Sequence, residues 1–182
     1  MQVEPTNKPR PNRHTYWLHD QLLAGEYPGE PDDAVARARL RAYLDAGVDF
    51  FVDLTRPGEL RPYDALLYAE AGGNGKRAEY RRLPIVDMGV PRKPEMVSIL
   101  DTIDQAVADG RTVYIHCWGG VGRTGTVIGC YLVRHGRTGQ EALDEIAGLW
   151  PTMEKTTWHP RSPETREQVR FVRDWREEPG GG

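Results

Sequence analysis

Residues 113–125, Val-Tyr-Ile-His-Cys-Trp-Gly-Gly-Val-Gly-Arg-Thr-Gly, constrain the fold of this chain more than any other stretch. Val113, Tyr114 and Ile115 read as a buried strand. From Arg123 onward Val127, Ile128, Tyr131, Leu132 and Val133 recur on nearly every side, the pattern of a helix buried at the centre of a domain. Between them lie Gly119, Gly120 and Gly122, which free the backbone to curl until several N–H groups point at one spot, backed by the positive end of the helix dipole. A nest of that kind matches an oxyanion of about the size of phosphate.

Two side chains give the nest chemistry. Cys117 stands at its mouth, where inward donors and the dipole favour a thiolate, the nucleophilic form. Arg123 closes the loop with a planar fork of donors that fits two phosphoryl oxygens and tightens as charge spreads over the equatorial oxygens in a transition state. Thr124 is placed to hydrogen-bond the sulfur and help it leave, and His116 to tie down the loop backbone while facing away from substrate. Trp118, Gly119, Gly120, Val121 and Gly122, with Arg123, are the expected phosphate-binding set. A structural cysteine beside a glycine turn would require neither Arg nor Thr at those offsets.

The run His116-Cys117-Trp118-Gly119-Gly120-Val121-Gly122-Arg123-Thr124-Gly125 resembles the His-Cys-x5-Arg-Ser/Thr-Gly signature of the protein tyrosine phosphatase superfamily, especially its small atypical dual-specificity members. The resemblance spans roughly residues 15 to 176, although only the signature and the acid-bearing loop described below are specific. It implies thiolate attack giving a phosphocysteine, then hydrolysis, with an aspartic acid protonating the leaving oxygen and with no metal or other cofactor. It also implies an α/β fold, a three-layer sandwich whose central, mostly parallel sheet has helices on both faces.

Elsewhere the chain has the bulk of one domain: 182 residues, 38% of them hydrophobic, enough for a real core. The expected division is a disordered tail over 1–13, a single phosphatase domain over 14–177 and a second disordered tail over 178–182. A net charge of −3 gives no general reason to expect nucleic acid or an anionic membrane as partner. Two cysteines, one committed to chemistry, point to a reducing compartment rather than a disulfide framework. Without an apolar run of signal or membrane length, the chain is expected to be cytoplasmic and monomeric.

Read in order, Tyr16 to Leu18 and Leu22 to Gly25 are short strands, and Pro31-Asp32-Asp33 opens a helix with Ala36, Leu40 and Leu44 on one face. Val48 to Leu54 is a strand buried on both sides, with Phe51 opposed to Phe50 and Val52. Helix and strand alternating in this way indicate a parallel sheet, and ligands bind at the carboxyl ends of such strands. The loop after Leu54 therefore brings Arg56, Glu59 and Arg61 near the nest, or else is a solvated charged loop; the family resemblance makes Glu59 the candidate buttress for Arg123, as an acidic residue is in some relatives.

A helix over Tyr63 to Ala71 and a strand over Glu79 to Leu83 lead to Pro84-Ile-Val-Asp-Met-Gly-Val-Pro91, a loop by its prolines and Gly89. Its Asp87 lies thirty positions before the nucleophile (117 − 87), an order and spacing that resemble the acid loop of dual-specificity phosphatases. Asp87 is accordingly the expected general acid, a group the chemistry requires because an alkoxide or phenoxide leaves poorly unprotonated. Asp101 and Asp104 fall on the solvated faces of the next helix, whose stripe is Met96, Leu100, Ile103 and Val107.

Past the signature, Thr138 and Glu141 form a capping box for a further helix, and Cys130 reads as a core residue of the central one. Thr152 to Arg161, with Lys155, Trp158, His159 and Arg161, is either a cover for the pocket or a surface connection. Ser162 reads as cap and Pro163 as first residue of the last helix, which turns Val172 and Trp175 to the core. Relatives place the hydrolytic water from this helix start, so Glu164 and Gln168 are the supporting candidates. The expected activity is hydrolysis of phosphotyrosine, with phosphoserine and phosphothreonine in range, on a phosphoprotein or phosphopeptide. The absence of lysine in the loop tilts against inositol lipids. A phosphoinositide or small-metabolite phosphatase, a non-catalytic phosphate-binding module and a sulfur transferase or arsenate reductase stay open as alternatives.

Overall fold

In a computed structural model that describes residues 6–177, the apolar strands assemble into one five-stranded sheet. The strands are β1 (Thr15–His19), β2 (Leu22–Gly25), β3 (Phe50–Asp53), β4 (Glu79–Arg82) and β5 (Val113–His116), in the spatial order β1-β2-β5-β3-β4. The β1–β2 hairpin is antiparallel and every other pairing is parallel. Connections between parallel strands carry helices: α1 (Asp33–Asp45), α2 (Asp64–Gly73) and α3 (Lys93–Ala108), followed after β5 by α4 (Gly122–Arg134), α5 (Gly139–Leu149) and α6 (Arg166–Arg173).

Side-chain alternation along the strands divides the core in two. Leu23, Phe51 and Tyr114 point to one face and pack with Leu40, Tyr43 and Leu44 of α1 and Leu67 and Ala71 of α2. Leu22, Ala24, Phe50, Val52, Val113 and Ile115 point to the other, against Met96, Leu100 and Ile103 of α3, Val127 and Ile128 of α4, Ile146 of α5 and Val172 of α6. The three-layer sandwich and the mostly parallel sheet are thus as expected, with β5 at the middle and both its faces covered. Each such aliphatic side chain, wholly withdrawn from water, contributes about 1.5–3 kcal/mol.

α4 is enclosed almost all round because its small residues admit neighbours. A Cβ on Gly129 would lie 2.6 Å from Val172, and one on Gly125 would lie 3.2 Å from the Pro163 backbone. Cys130 is a free, fully buried core residue, its thiol pushed well up by burial. Asp101 and Asp104 both pair with Arg134 on the outside of the α3–α4 packing, 2.8 and 2.9 Å away.

Two expectations are corrected. Within the segment expected as a disordered tail, residues 6–13 are tied to the domain: Lys8 Nζ donates to Asp20 O at 2.6 Å, Arg10 Nη1 to the carbonyls of Thr15 and Thr152 at 3.0 Å each, and Asn12 Nδ2 to Tyr43 OH at 3.0 Å. Residues 1–5, and the tail expected over 178–182, lie outside the described residues. The last helix does not start at Ser162. Its N-cap is Thr165, in a reciprocal capping box with Gln168, because the Ser162 hydroxyl is used elsewhere, as described below.

Candidate active site

β5 delivers Cys117 to the carboxyl edge of the sheet, and residues 117–122 turn there into the amino terminus of α4. Gly120 makes this turn possible. Its φ is +73°, and a Cβ would sit 2.5 Å from the carbonyl carbon of Gly25 and 2.8 Å from the Glu26 nitrogen. The backbone is thereby pressed against the end of β2, and the Gly120 N–H reaches the Cys117 sulfur at 3.3 Å. Cys117 itself is 3% exposed, so its sulfur opens only onto the cavity above.

That cavity, of about 320 Å³, is lined by Cys117, Trp118, Gly119, Val121, Gly122 and Arg123 of the signature, by Asp87 and Met88, and by Lys155, His159 and Glu164. Arg123 is 2% exposed, and its fork is fully specified. Nη1 donates to Glu59 Oε2 at 2.9 Å and to the Ile85 carbonyl at 3.3 Å, and Nη2 to Glu59 Oε1 at 2.6 Å. Nη2 also lies 3.1 Å from Asp87 Oδ1. Burial works against the guanidinium charge, but the Glu59 hydrogen bonds and the electrostatic influence of the neighbouring Cys117, Glu59 and Asp87 outweigh it and move the group upward. Glu59 shows the reciprocal effect. Burial works against its charge too, and Arg123 with the Arg56 N–H outweighs it and holds the carboxyl below its ordinary value. Glu59 and Arg123 thus form a bidentate pair.

Asp87 occupies the second position of a turn closed by Gly89 N–H to Val86 O at 3.0 Å, with Met88 third at φ +60°. A positive φ at the third position is the type II pattern, which here a methionine fulfils in place of glycine. The Asp87 side chain is 57% exposed and faces Arg123 across the cavity mouth.

His116 is fully buried and lies outside the cavity lining. Its Nδ1 is 3.2 Å from the Cys117 carbonyl, which only accepts, so Nδ1 carries the proton and Nε2 accepts from Tyr63 OH at 2.6 Å. Burial pulls the imidazole below its ordinary value, consistent with this neutral tautomer. Its ring holds the Cys117 carbonyl at the start of the loop.

The Thr124 hydroxyl is fully buried and has no hydrogen-bond partner among the described residues, the Cys117 sulfur included. Glu164 reaches the cavity wall, 3.4 Å from His159 Nδ1. Gln168 is fully buried and absent from the lining. Its Oε1 accepts from the backbone of Glu164 and Thr165 at 3.2 and 3.0 Å, and its Nε2 donates to Gly89 O at 3.1 Å, which ties the Asp87 loop to the start of α6.

Sequence reasoning missed Tyr63, Asp53 and the specific parts played by Lys155 and Ser162. Asp53 is completely buried at the end of β3, where it accepts from Thr55 N and Oγ1 at 2.8 and 2.6 Å and from Tyr80 OH at 2.7 Å, shaping the loop that carries Glu59. Its signal was a lone carboxylate inside an apolar strand. Ser162 Oγ donates to Val121 O at 2.7 Å, holding the signature loop from outside.

The chain as a whole is similar to known proteins. The chain is 26% identical to Tk-PTP, solved in a mutant form, with a TM-score of 0.67 over 88% of this chain and 92% of that one. It is 28% identical over 169 residues to a protein of Invertebrate iridescent virus 3 provisionally named tyrosine phosphatase 067L. It is 25% identical over 161 residues to the Arabidopsis thaliana protein named phosphatidylinositol 3,4,5-trisphosphate 3-phosphatase and protein-tyrosine-phosphatase PTEN1. Those alignments take in 88% and 87% of this chain but 64% and 36% of the viral and plant proteins. The family model described as PTP-SAK, Swiss Army Knife protein, DSP-PTPase phosphatase domain, matches residues 12–180, and the chain belongs to that family.

Proposed function

We propose that this chain is a cysteine-dependent protein phosphatase that hydrolyses phosphotyrosine, with phosphoserine and phosphothreonine as further substrates, through a phosphocysteine intermediate. The observation that carries this reading is the convergence of Cys117 Sγ, the bidentately held Arg123 fork and the Asp87 carboxylate on one cavity. In the first step the Cys117 thiolate forms the S–P bond while the ester P–O bond breaks, and Asp87, protonated, gives its proton to the departing oxygen. In the second, a water forms a new P–O bond as S–P breaks; Asp87 takes the water's proton, and the thiolate and inorganic phosphate are released. Charge on the equatorial oxygens is met by the inward N–H groups and by Arg123, donors already in place before reaction.

The Asp87–Arg123 contact fits this scheme. A phosphoryl oxygen takes over the Nη2 donor, which leaves the Asp87 carboxyl to face the departing oxygen. The Thr124 hydroxyl, buried and unpartnered, is available to the sulfur as the S–P bond breaks.

An aromatic phosphoester is favoured by the rim. Trp118, Met88 and Val86 are 57%, 51% and 59% exposed, and Trp118 and Met88 both line the cavity. Apolar walls of this kind suit a phenyl ring better than a hydroxyl-covered inositol. The test is phosphate release from phosphotyrosine, phosphoserine and phosphothreonine peptides, inositol phosphates and phosphoinositide vesicles. Highest kcat/KM on phosphotyrosine peptides supports the reading. A preference of tenfold or more for a phosphoinositide overturns the substrate class, and release from none of them overturns the activity.

A further inference from the structure

The outer side of the nest is held as deliberately as its inner side. Three carbonyls of the signature loop each meet a donor from a different part of the chain. Tyr27 N–H donates to Trp118 O at 2.9 Å, Ser162 Oγ to Val121 O at 2.7 Å, and Lys155 Nζ to Gly119 O at 3.1 Å. Of the three donors, only Lys155 is charged. Its carbonyl belongs to the same peptide group as the Gly120 N–H that reaches Cys117 Sγ at 3.3 Å. In a trans peptide the C=O and N–H point in opposite directions, so a cation fixed on the oxygen both aims the N–H inward and polarises it toward whatever negative atom lies there.

We infer that Lys155 is a positioning residue for the oxyanion nest, acting on the thiolate and on bound phosphate through the Gly119–Gly120 peptide; this rests on the reading of Cys117 as nucleophile given above. Lys155 is well anchored for the task. Its ammonium also pairs with Glu26 Oε2 at 2.5 Å, and Glu26 is oriented in turn by Arg39 Nη2 at 2.8 Å. The 3-10 turns Trp150–Thr152 and Glu154–Thr157 that carry it are pinned by Arg10 to the Thr152 carbonyl at 3.0 Å and by Trp150 Nε1 to His159 O at 2.7 Å. Glu26 fixes where the ammonium sits and offsets its charge for anything farther away. Lys155 also lines the cavity, and its hydrogen bond to the signature loop is to this one peptide group.

The test uses the full chain in two arms. In the Cys117→Ser background, tungstate binding is measured by calorimetry with Lys155, with Lys155→Met and with Lys155→Arg. The expected result is a loss of roughly 10–30-fold for Lys155→Met, the weight of about one charge-assisted hydrogen bond. Lys155→Arg, which keeps a charged donor, should return to within about threefold of the parent. In the Cys117 enzyme with p-nitrophenyl phosphate, Lys155→Met should lower kcat/KM by a similar factor, because the polarised N–H meets the bound phosphoryl oxygens and the charge that develops on them.

Unchanged tungstate affinity in Lys155→Met overturns the inference. So does a rise in KM confined to phosphopeptides, which would make Lys155 a surface contact for substrate. A loss that Lys155→Arg does not restore, and that follows a lowered melting temperature, overturns it as well, since that is the mark of a merely structural lysine. Failure of the phosphatase reading registers separately, as absence of phosphate release by the unmodified chain, and leaves the tungstate arm decisive.

Discussion

Glu59→Gln tests how far catalysis depends on the aim of one guanidinium. In the parent, both Glu59 oxygens accept from Arg123, at 2.9 and 2.6 Å, in a pair whose arginine is 2% exposed. The amide keeps one acceptor, loses the charge and puts an NH₂ against the other arginine nitrogen, so one of two charge-assisted hydrogen bonds is removed and a donor faces a donor. A hydrogen bond to a charged group is worth about 1.5–3 kcal/mol, which sets the expected loss in kcat/KM at roughly 10–100-fold. The larger share should fall in kcat, because Arg123 Nη2 is then left to Asp87, already 3.1 Å away, and the phosphoryl group must compete harder for it.

Stability supplies a second readout with a definite sign. The Glu59 carboxyl is held below its ordinary value in the folded chain, so its contribution is complete above the unfolded value of about 4.3 and is lost as pH falls through the lower, folded value. The gap in melting temperature between parent and Glu59→Gln should accordingly be widest near neutrality and narrow below about pH 4. Steady-state kinetics on a phosphotyrosine peptide and melting curves at several pH values measure both. A variant with parental kcat/KM, or a melting gap that widens as pH falls, would refute the assignment of Glu59 as the residue that aims Arg123.

Asp87→Asn should lower kcat by ~10²–10⁴, since the lost group is the one that protonates the departing oxygen. An unchanged kcat would send the search for the acid elsewhere. Gly120→Ala should destabilise the fold by about 1–3 kcal/mol and abolish most activity, because a side chain at φ +73° would also meet the Gly25 backbone at 2.5 Å; denaturant melts that match the parent would contradict the packing described. Cys117→Ser should end turnover while still binding tungstate, and loss of tungstate binding with the fold intact would place the anion site elsewhere.

What was legible in the sequence was local. The strand, glycine turn and buried helix of residues 113–134 follow from neighbouring residues, and so does the alternation of Phe50, Phe51 and Val52 between two cores. That the loop carrying Glu59 lies near the pocket was legible by topology, since loops at the carboxyl edge of a parallel sheet converge, and the pairing of Glu59 with Arg123 only through the family resemblance. What depended on distant partners was not. Ser162-Pro163 has the form of a helix start, yet its hydroxyl is drawn to Val121 O, forty-one positions back (162 − 121), and the cap passes to Thr165. Gln168 was expected to serve a water, whereas Oε1 is taken by two backbone donors and Nε2 by Gly89 O. Asn12 and Arg10 sit in a stretch without periodicity, and only the folded positions of Tyr43 and Thr152 give them partners. Lys155 is in the same class: nothing in a basic loop says which carbonyl it will hold.

The covalent intermediate is the most direct measure of the central claim. Acid-quenched samples taken within the first turnover on a phosphotyrosine peptide, digested and examined by mass spectrometry, should carry one phosphoryl group on the sulfur of Cys117. The adduct should accumulate further in a variant slowed in the hydrolytic step and be missing from Cys117→Ser. Full turnover with phosphate never appearing on Cys117 at any quench time would contradict the account.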